Sequence, residues 1–395
     1  MTFQNLRKIS NDIFIVISKI AKKSRELHEP IFFGNELKYI KKCLESTFIS
    51  TMSPFVEKLE KKLCQYTGSK YAIALNSGTS ALQLSIILSG INRNEEVLVP
   101  TLNYISSSNA ILIANAIPHF VDIDKKTLGI DTKKLRKYLI KKTFKKNNMY
   151  INKKTKRPIR AIIPMHTFGH PSNMKEIMKI AKDFRLKVIE DAAEGIGSFY
   201  KKRHVGTFGD IGILSFNGNK TITTGGGGLL LTQNKRIASL AKHISLNSKI
   251  IKNWQISHDR IGYNYRMPGI NAAIGCAQIE KIEKLVKAKR KLFKLYNNEL
   301  KKIYGLKLFK ESTDSRSNYW LQTIILDKAN KSKRDNIIKF CNKFKYKVRP
   351  TWKLMHKIEY LSKFEKMNLS NAENLEKKII NIPSSPQIVF DMGRK

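Results

Sequence analysis

Lys220 stands in the segment Ser215-Phe-Asn-Gly-Asn-Lys220-Thr-Ile-Thr-Thr-Gly225-Gly-Gly-Gly228. It follows an apolar run, Ile211 to Phe216, that reads as a strand. A lysine set among glycines has little side-chain wall around it, so a flat ligand can approach closely. Desolvation beside a positive neighbour lowers a lysine's pKa and makes the amine a nucleophile towards aldehydes. In a chain with 74 Lys and Arg residues, a lone lysine carries no information. Asp191 gives this one its meaning. It closes the apolar run Leu186-Lys-Val-Ile-Glu-Asp191, where a buried carboxylate needs a cationic partner.

A third group lies upstream. Asn76-Ser77-Gly78-Thr79-Ser80 is a turn of small residues that opens the helical run Ala81 to Leu88. Free backbone amides and the helix dipole suit it to a phosphate; an ordinary helix N-cap is the alternative. No G-x-x-x-x-G-K-[ST] is present, which excludes a P-loop nucleotidase. Gly195-Ile-Gly197 begins like a dinucleotide fingerprint, but it lacks the third glycine and does not directly follow a strand. A phosphate turn, an aspartate at a strand end and a lysine beside a serine, in this order, match the needs of pyridoxal phosphate. Lysine takes its aldehyde and Asp pairs with its pyridinium nitrogen.

The elements around these residues alternate. Apolar strands Tyr71–Leu75, Glu96–Pro100, Pro118–Asp122, Ala161–Met165 and Leu186–Asp191 are interleaved with helical patterns such as Ser106–Ala116 and Asn173–Phe184. That order predicts an α/β protein with a parallel sheet covered on both faces, whose ligands bind at the carboxyl ends of the strands. Residues 141–160, basic and rich in Asn, read as a surface loop. A single long helix is expected from Asn271 to about Tyr304, leading into a smaller α+β unit. Residues 1–30 are expected to form an N-terminal helical extension. A large cofactor-binding domain is expected over 31–270, and 271–395 takes the connecting helix and small C-terminal domain.

Composition bounds the function. The chain has 395 residues, 42% of them hydrophobic and 27% charged, enough for a sizeable core. Disordered, collagen-like and small disulfide classes are excluded. The net charge of +43 raises the alternative of a polyanion-binding protein. Its lysines, however, are spread along the whole chain, and no zinc-finger, RRM or helix-turn-helix signature goes with them. A specific nucleic-acid partner is therefore not expected. Cys43, Cys64, Cys276 and Cys341 lie far apart with no metal-ligand spacing, so no metal is expected and a reducing cytoplasm fits. No apolar run is long enough to span a membrane. Asp12–Ala21 faintly resembles a signal peptide, but Lys19 interrupts it and no cleavage site follows, so an amphipathic helix is expected there.

The segments Asn76–Leu82, Glu190-Asp-Ala-Ala-Glu-Gly195, Ser215–Lys220 with Thr223–Gly228, and Gly262-Tyr-Asn-Tyr-Arg266 together resemble the DegT/StrS-type nucleotide-sugar aminotransferases. Four motifs in family order carry the resemblance over about residues 30–390. It implies a fold-type I aminotransferase architecture, with a large domain around a mostly parallel sheet and a smaller C-terminal α+β domain. It further implies a homodimer with shared active sites. By the same resemblance, Lys220 captures the cofactor aldehyde and shuttles the proton, while Asp191 holds the pyridinium proton. Gly78, Thr79, Ser80 and Ser215 hold the phosphate. Asn264, or its neighbour Arg266, reaches that phosphate from the partner subunit. Tyr104 stacks on the ring, a core position being the alternative. Glu194 stands near the cofactor hydroxyl where many relatives have Gln or His. His166 lies at the pocket mouth towards substrate, with His170 structural. Arg349 is a candidate contact for a diphosphate or carboxylate, or else a surface charge.

Lysine at 220 separates the chain from relatives that carry His there and catalyse dehydration. The motif set, with Arg349-Pro-Thr-Trp352 and the N-terminal extension, is similar to the LegC-type branch. That likeness implies transamination of a UDP- or GDP-linked 4-keto-6-deoxy sugar to its 4-amino sugar, with glutamate as donor. The setting would be bacterial surface-polysaccharide or legionaminic-acid-type synthesis, and a perosamine-synthase-like role on a GDP-sugar is the alternative.

Overall fold

The computed structural model of the chain describes residues 3–22 and 24–393. Helices α1 (Phe3–Ile20), α2 (Glu36–Glu45) and α3 (Pro54–Thr67) come first, then β1 (Tyr71–Leu75), α4 (Gly78–Leu88), β2 (Glu96–Pro100), α5 (Ile105–Ile113) and β3 (Ile117–Val121). Next are α6 (Thr132–Lys142), the hairpin β4 (Thr143–Lys146) and β5 (Met149–Asn152), β6 (Pro158–Ile162), α7 (Met174–Phe184) and β7 (Lys187–Asp191). A small hairpin, β8 (Phe199–Tyr200) and β9 (Arg203–His204), precedes β10 (Ile211–Ser215) and β11 (Gly228–Thr232). After α8 (Lys235–Ser245) and the hairpin β12 (Lys249–Lys252) with β13 (Gln255–His258) come α9 (Gly269–Ile279) and α10 (Ile282–Leu300). The last part carries β14 (Leu306–Leu308), β15 (Ser315–Arg316), β16 (Gln322–Leu326), α11 (Lys331–Lys343), β17 (Arg349–Pro350) and β18 (Ile379–Ile382).

The main sheet runs β1-β11-β10-β7-β6-β2-β3, with β5 and then β4 added beside β6. From β10 to β3 the pairing is parallel, while β11 is antiparallel to both its neighbours. The strands β2, β10 and β11 are buried along their whole length, as strands of a helix-covered sheet must be. A second sheet, β14-β16-β18-β17, packs with α1, α10 and α11 into a separate apolar cluster. Ile13 and Ile17 of α1 lie fully inside that cluster, so the N-terminal helix is amphipathic as expected and its apolar face belongs to the core.

Two expectations are corrected. Residues 143–152 form the β4–β5 hairpin instead of a surface loop. Asn152 and Thr155 donate to the buried carboxylate of Glu96, which also pairs with His119, so polar bonds rather than apolar content anchor the insertion. The long helix is in fact two: α9 ends at Ile279 and α10 begins at Ile282, with Lys281 out of helical conformation at φ −108° and ψ 0°. Among the described residues the four cysteines are free, no helix is long and apolar enough to cross a membrane, and no metal-binding group of His, Cys, Asp or Glu occurs.

Candidate active site

The carboxyl ends of β7 and β10 and the amino end of α4 open onto one pocket of about 400 Å³. Gly78, Thr79, Tyr104, Asp191, Glu194, Ser215, Lys220 and Arg349, eight of the residues singled out in the sequence, line it. The placement follows from the topology, since parallel strands end on the same edge and their loops converge there.

Asp191 forms the floor. It is buried; its Oδ2 accepts a 2.6 Å hydrogen bond from the Ser107 hydroxyl and its Oδ1 accepts one from the Ala193 amide at 3.2 Å. Burial raises the pKa of this carboxyl; the Ser107 hydroxyl, the Ala193 amide and the charge of Lys220 oppose the rise. A cationic ligand group against such a carboxylate stabilises its charged form further.

Lys220 follows β10 in a turn closed by its own amide on the Asn217 carbonyl. Its Nζ lies 3.3 Å from Glu194 Oε1 and 4.1 Å from the centre of the Trp320 ring. Trp320 is clamped in turn: its indole N–H donates to the Asn219 carbonyl, and its backbone N–H donates to Asn318 Oδ1. The Asn318 amide donates to the carbonyls of Glu194 and Ile196. One asparagine therefore couples the wall behind Lys220 to the loop that carries Glu194. Glu194 also accepts from the Phe168 amide at 2.8 Å, and burial pushes its carboxyl up to about 7 against the pull of Lys220.

At the other end, the N–H groups of Gly78 and Thr79 begin α4, while the Ser77 side chain caps Ser80. Gly228 explains why the glycine run must lie here: a Cβ on it would stand 2.3 Å from the Ser77 carbonyl and 2.6 Å from the Gly78 nitrogen. The Thr79 hydroxyl donates to Ser106 Oγ at 3.1 Å. Tyr104 is half-exposed on the wall and meets Trp352 edge-on, at 6.1 Å between centroids. Arg349 is partly buried beside them; burial lowers its pKa, with Glu194 and Tyr104 pulling it back up.

Other expected residues fall elsewhere. The Ser80 hydroxyl is engaged with Asn76 Oδ1 and Ser77 Oγ, both at 2.7 Å, and Ser80 is not in the wall, so it supports the turn instead of facing a ligand. His166 is fully buried behind the wall. Its Nδ1 accepts from the Ser172 amide and its Nε2 faces Glu190 Oε2, both at 3.1 Å, which corrects its reading as a substrate contact. Glu190 passes this support on by accepting from the amides of Gly206, Phe208 and Gly209. Arg266 is buried and pairs with Glu60 at 2.7 Å, so its guanidinium is committed within its own subunit. Asn264 is exposed and lies outside this wall; its carbonyl accepts from Asn76 Nδ2 at 3.3 Å. His170 is structural, as expected, packed edge-on between Phe309 and Tyr319 with burial lowering its pKa to about 3. Ser107, Asn318 and Trp320 escaped sequence reasoning, and Trp352 was read there only as the end of the motif Arg349-Pro-Thr-Trp352. The only local signal was the serine run 106–108 at a helix start.

These groups fit pyridoxal phosphate. A buried aspartate forms the pocket floor where a ring nitrogen can meet it, and a lysine amine stands on the same wall. A helix amino end opens beside them, kept clear of side chains by Gly228. The arrangement defines an α/β enzyme that works through a phosphorylated aldehyde cofactor. Residues 32–392 match the DegT/DnrJ/EryC1/StrS aminotransferase family, and the chain belongs to it. It is a pyridoxal phosphate-dependent sugar aminotransferase.

GDP-perosamine synthase of Escherichia coli O157:H7 is 36% identical over 92% of this chain and 93% of that protein. GDP-perosamine synthase of Vibrio cholerae is 32% identical over 93% of this chain and 96% of that protein. Among solved structures, PseC of Helicobacter pylori, an aminotransferase involved in the biosynthesis of pseudoaminic acid, has the same fold. Its TM-score is 0.83 at 22% identity, with 94% of this chain and 97% of that one covered.

Proposed function

We propose that this enzyme moves the amino group of an amino acid, glutamate in our reading, to the keto carbon of a nucleotide-linked 4-keto-6-deoxy sugar, with a GDP-linked sugar as the leading substrate. The observation that carries the chemistry is the meeting of Lys220, Asp191 and the Gly78–Thr79 amides on one pocket. The GDP assignment is supported by the perosamine synthases, at 36% and 32% identity over nearly the whole chain. A UDP-linked substrate of a legionaminic-acid-type pathway is the second reading, favoured by the motif Arg349-Pro-Thr-Trp352 and the N-terminal extension.

Bound pyridoxal phosphate supplies a ring that withdraws electrons from the carbon losing a proton. The side chains do the rest. Lys220 Nζ would hold the cofactor aldehyde at rest and, when free, would take the proton from the donor's α carbon in the first half-reaction and supply one to the sugar carbon in the second. Asp191 keeps the ring nitrogen protonated, and Ser107 fixes the carboxylate that does so. Gly78, Thr79 and Ser215 hold the phosphate. Glu194 stands over Lys220 as a hydrogen-bond partner that is itself near the midpoint of its titration at neutral pH.

The same reading makes the enzyme a homodimer in which Asn264 faces the partner's phosphate site. Exposed Phe48, Ile49, Met52 and Trp254 give it apolar surface to bury. The test is to incubate the enzyme with glutamate and a panel of GDP- and UDP-linked 4-keto-6-deoxy sugars and to weigh the products. The amino sugar should form with GDP; conversion of the UDP compounds alone would favour the second reading. Conversion of none would defeat both.

A further inference from the structure

Lys289, on α10, is fully buried, yet no carboxylate pairs with it among the described residues. Its side-chain amine donates instead to two backbone carbonyls, Ser384 at 2.7 Å and Trp320 at 3.1 Å. We propose that Lys289 is a positioning residue: through the Trp320 carbonyl it fixes the indole ring that backs the amine of Lys220. The inference rests on the reading of Lys220 as the cofactor lysine and goes beyond it by naming what holds that amine's wall in place.

The centre of the Trp320 ring lies 4.1 Å from Lys220 Nζ. Three bonds hold the residue. Two come from the loops beside the pocket: the indole N–H donates to the Asn219 carbonyl and the backbone N–H to Asn318 Oδ1, each at 2.8 Å. Lys289 makes the third, and it comes from a different part of the molecule, since its helical neighbours Ala288, Leu292 and Phe293 belong to the second apolar cluster. Ser384, its other acceptor, is itself a joint. The Ser384 amide donates to the Leu27 carbonyl at 2.8 Å, and its hydroxyl accepts from the Gln322 amide at 2.7 Å. One amine therefore ties the pocket wall to the end of β18 and to the segment after α1.

This position breaks a rule of core packing. Burying an amine without a counter-charge costs stability, and burial pushes the Lys289 pKa well below the ordinary lysine value. A core built for stability alone would carry an apolar side chain here. Such departures are expected where function needs them. The choice of acceptors has a reason as well. A carboxylate behind Trp320 would compete with Glu194 for the Lys220 amine, whereas two carbonyls hold Lys289 without adding a negative charge. His28, beside Leu27, fits the same pattern. It is buried, its ring nitrogens have no partner among the described residues, and Lys289 and Lys220 are the charges that act on it.

The glutamate half-reaction uses Lys220 without any nucleotide sugar, so it tests the inference apart from the choice of sugar. In Lys289→Met its maximal rate should fall about tenfold, inside the roughly hundredfold that a misplacement of about 1 Å can cost, with half-saturation by glutamate within about twofold. Cofactor affinity should also stay within about twofold, because Asp191 and the Gly78–Thr79 turn are untouched, while the visible circular dichroism of the bound cofactor should change. Trp320→Leu should slow the same reaction, and adding Lys289→Met to it should cost less than about a further twofold. Lys289→Gln keeps two N–H donors and should recover part of the rate; it carries the coupling test if the Met variant does not fold. A Lys289→Met enzyme of full rate, whatever its stability, would overturn the inference, as would a slowing that adds in full to that of Trp320→Leu. Undiminished turnover in Lys220→Ala would instead overturn the parent reading.

Discussion

Lys220 Nζ and Glu194 Oε1 lie 3.3 Å apart, both nearly closed to solvent. Burial holds the Glu194 carboxyl at about 7 against an ordinary value of 4.5, with the lysine's charge as the main opposing influence. Below pH 4.5 this group is protonated in folded and unfolded chains alike. Between 4.5 and 7 the unfolded chain ionises first, so the folded state loses stability relative to it across that window and by a constant amount above it.

Glu194→Gln should therefore gain on the wild-type apoprotein as pH rises, by up to roughly 3 kcal/mol between pH 4.5 and 7.5. Urea unfolding at several pH values measures this. A difference that stays flat with pH would contradict the assignment.

The Ser107–Asp191 bond gives a second test. Removing a donor to a buried carboxylate costs on the order of 1.5 kcal/mol. Ser107→Ala should weaken cofactor affinity about tenfold by titration, and Ser107→Thr should restore most of it. Asp191→Asn should cost turnover about a hundredfold or more, because an amide cannot balance a ring cation. Equal cofactor affinity in wild type and Ser107→Ala would remove Ser107 from the account.

Gly228 tests the phosphate turn. A methyl group there would stand 2.3 Å from the Ser77 carbonyl, so backbone must move in Gly228→Ala. Cofactor affinity should fall by a factor of about a hundred, the value of two lost hydrogen bonds to a charged phosphate. An Ala variant that binds the cofactor normally would show that the turn does not need this clearance.

The Arg266–Glu60 pair separates structure from catalysis. Both groups are buried, and with the arginine removed Glu60 keeps Lys242 at 3.4 Å as its one charged partner and the Ala74 amide at 2.8 Å. Arg266→Met should destabilise the protein by about 3 kcal/mol, the cost of stranding a buried charge, reduced by what Lys242 supplies. Chemical denaturation reads it. A loss of turnover with full stability would instead return Arg266 to the active site.

The sequence displayed what is local and hid what is not. Lys220, Asp191 and the 76–80 turn are each marked by immediate neighbours, because strand ends and helix starts have characteristic residues. Trp320 and Asn318 stand about a hundred positions from Lys220 and reach it only through the fold, so no spacing announces them. The β4–β5 hairpin was concealed by lysine and asparagine, its anchoring coming from the distant Glu96. The break between α9 and α10 falls where apolar periodicity continues unbroken, so the pattern alone ran through it. His166 failed differently, since a histidine packed behind a wall and one lining it follow their strands in the same way.

The most direct measurement is to treat the cofactor-loaded enzyme with borohydride, digest it and map the modified peptide by mass spectrometry. A phosphopyridoxyl group on Lys220 and nowhere else is the predicted outcome. A tag on any of the many other lysines with Lys220 unmodified, or no tag on protein loaded with the cofactor, would contradict the central claim.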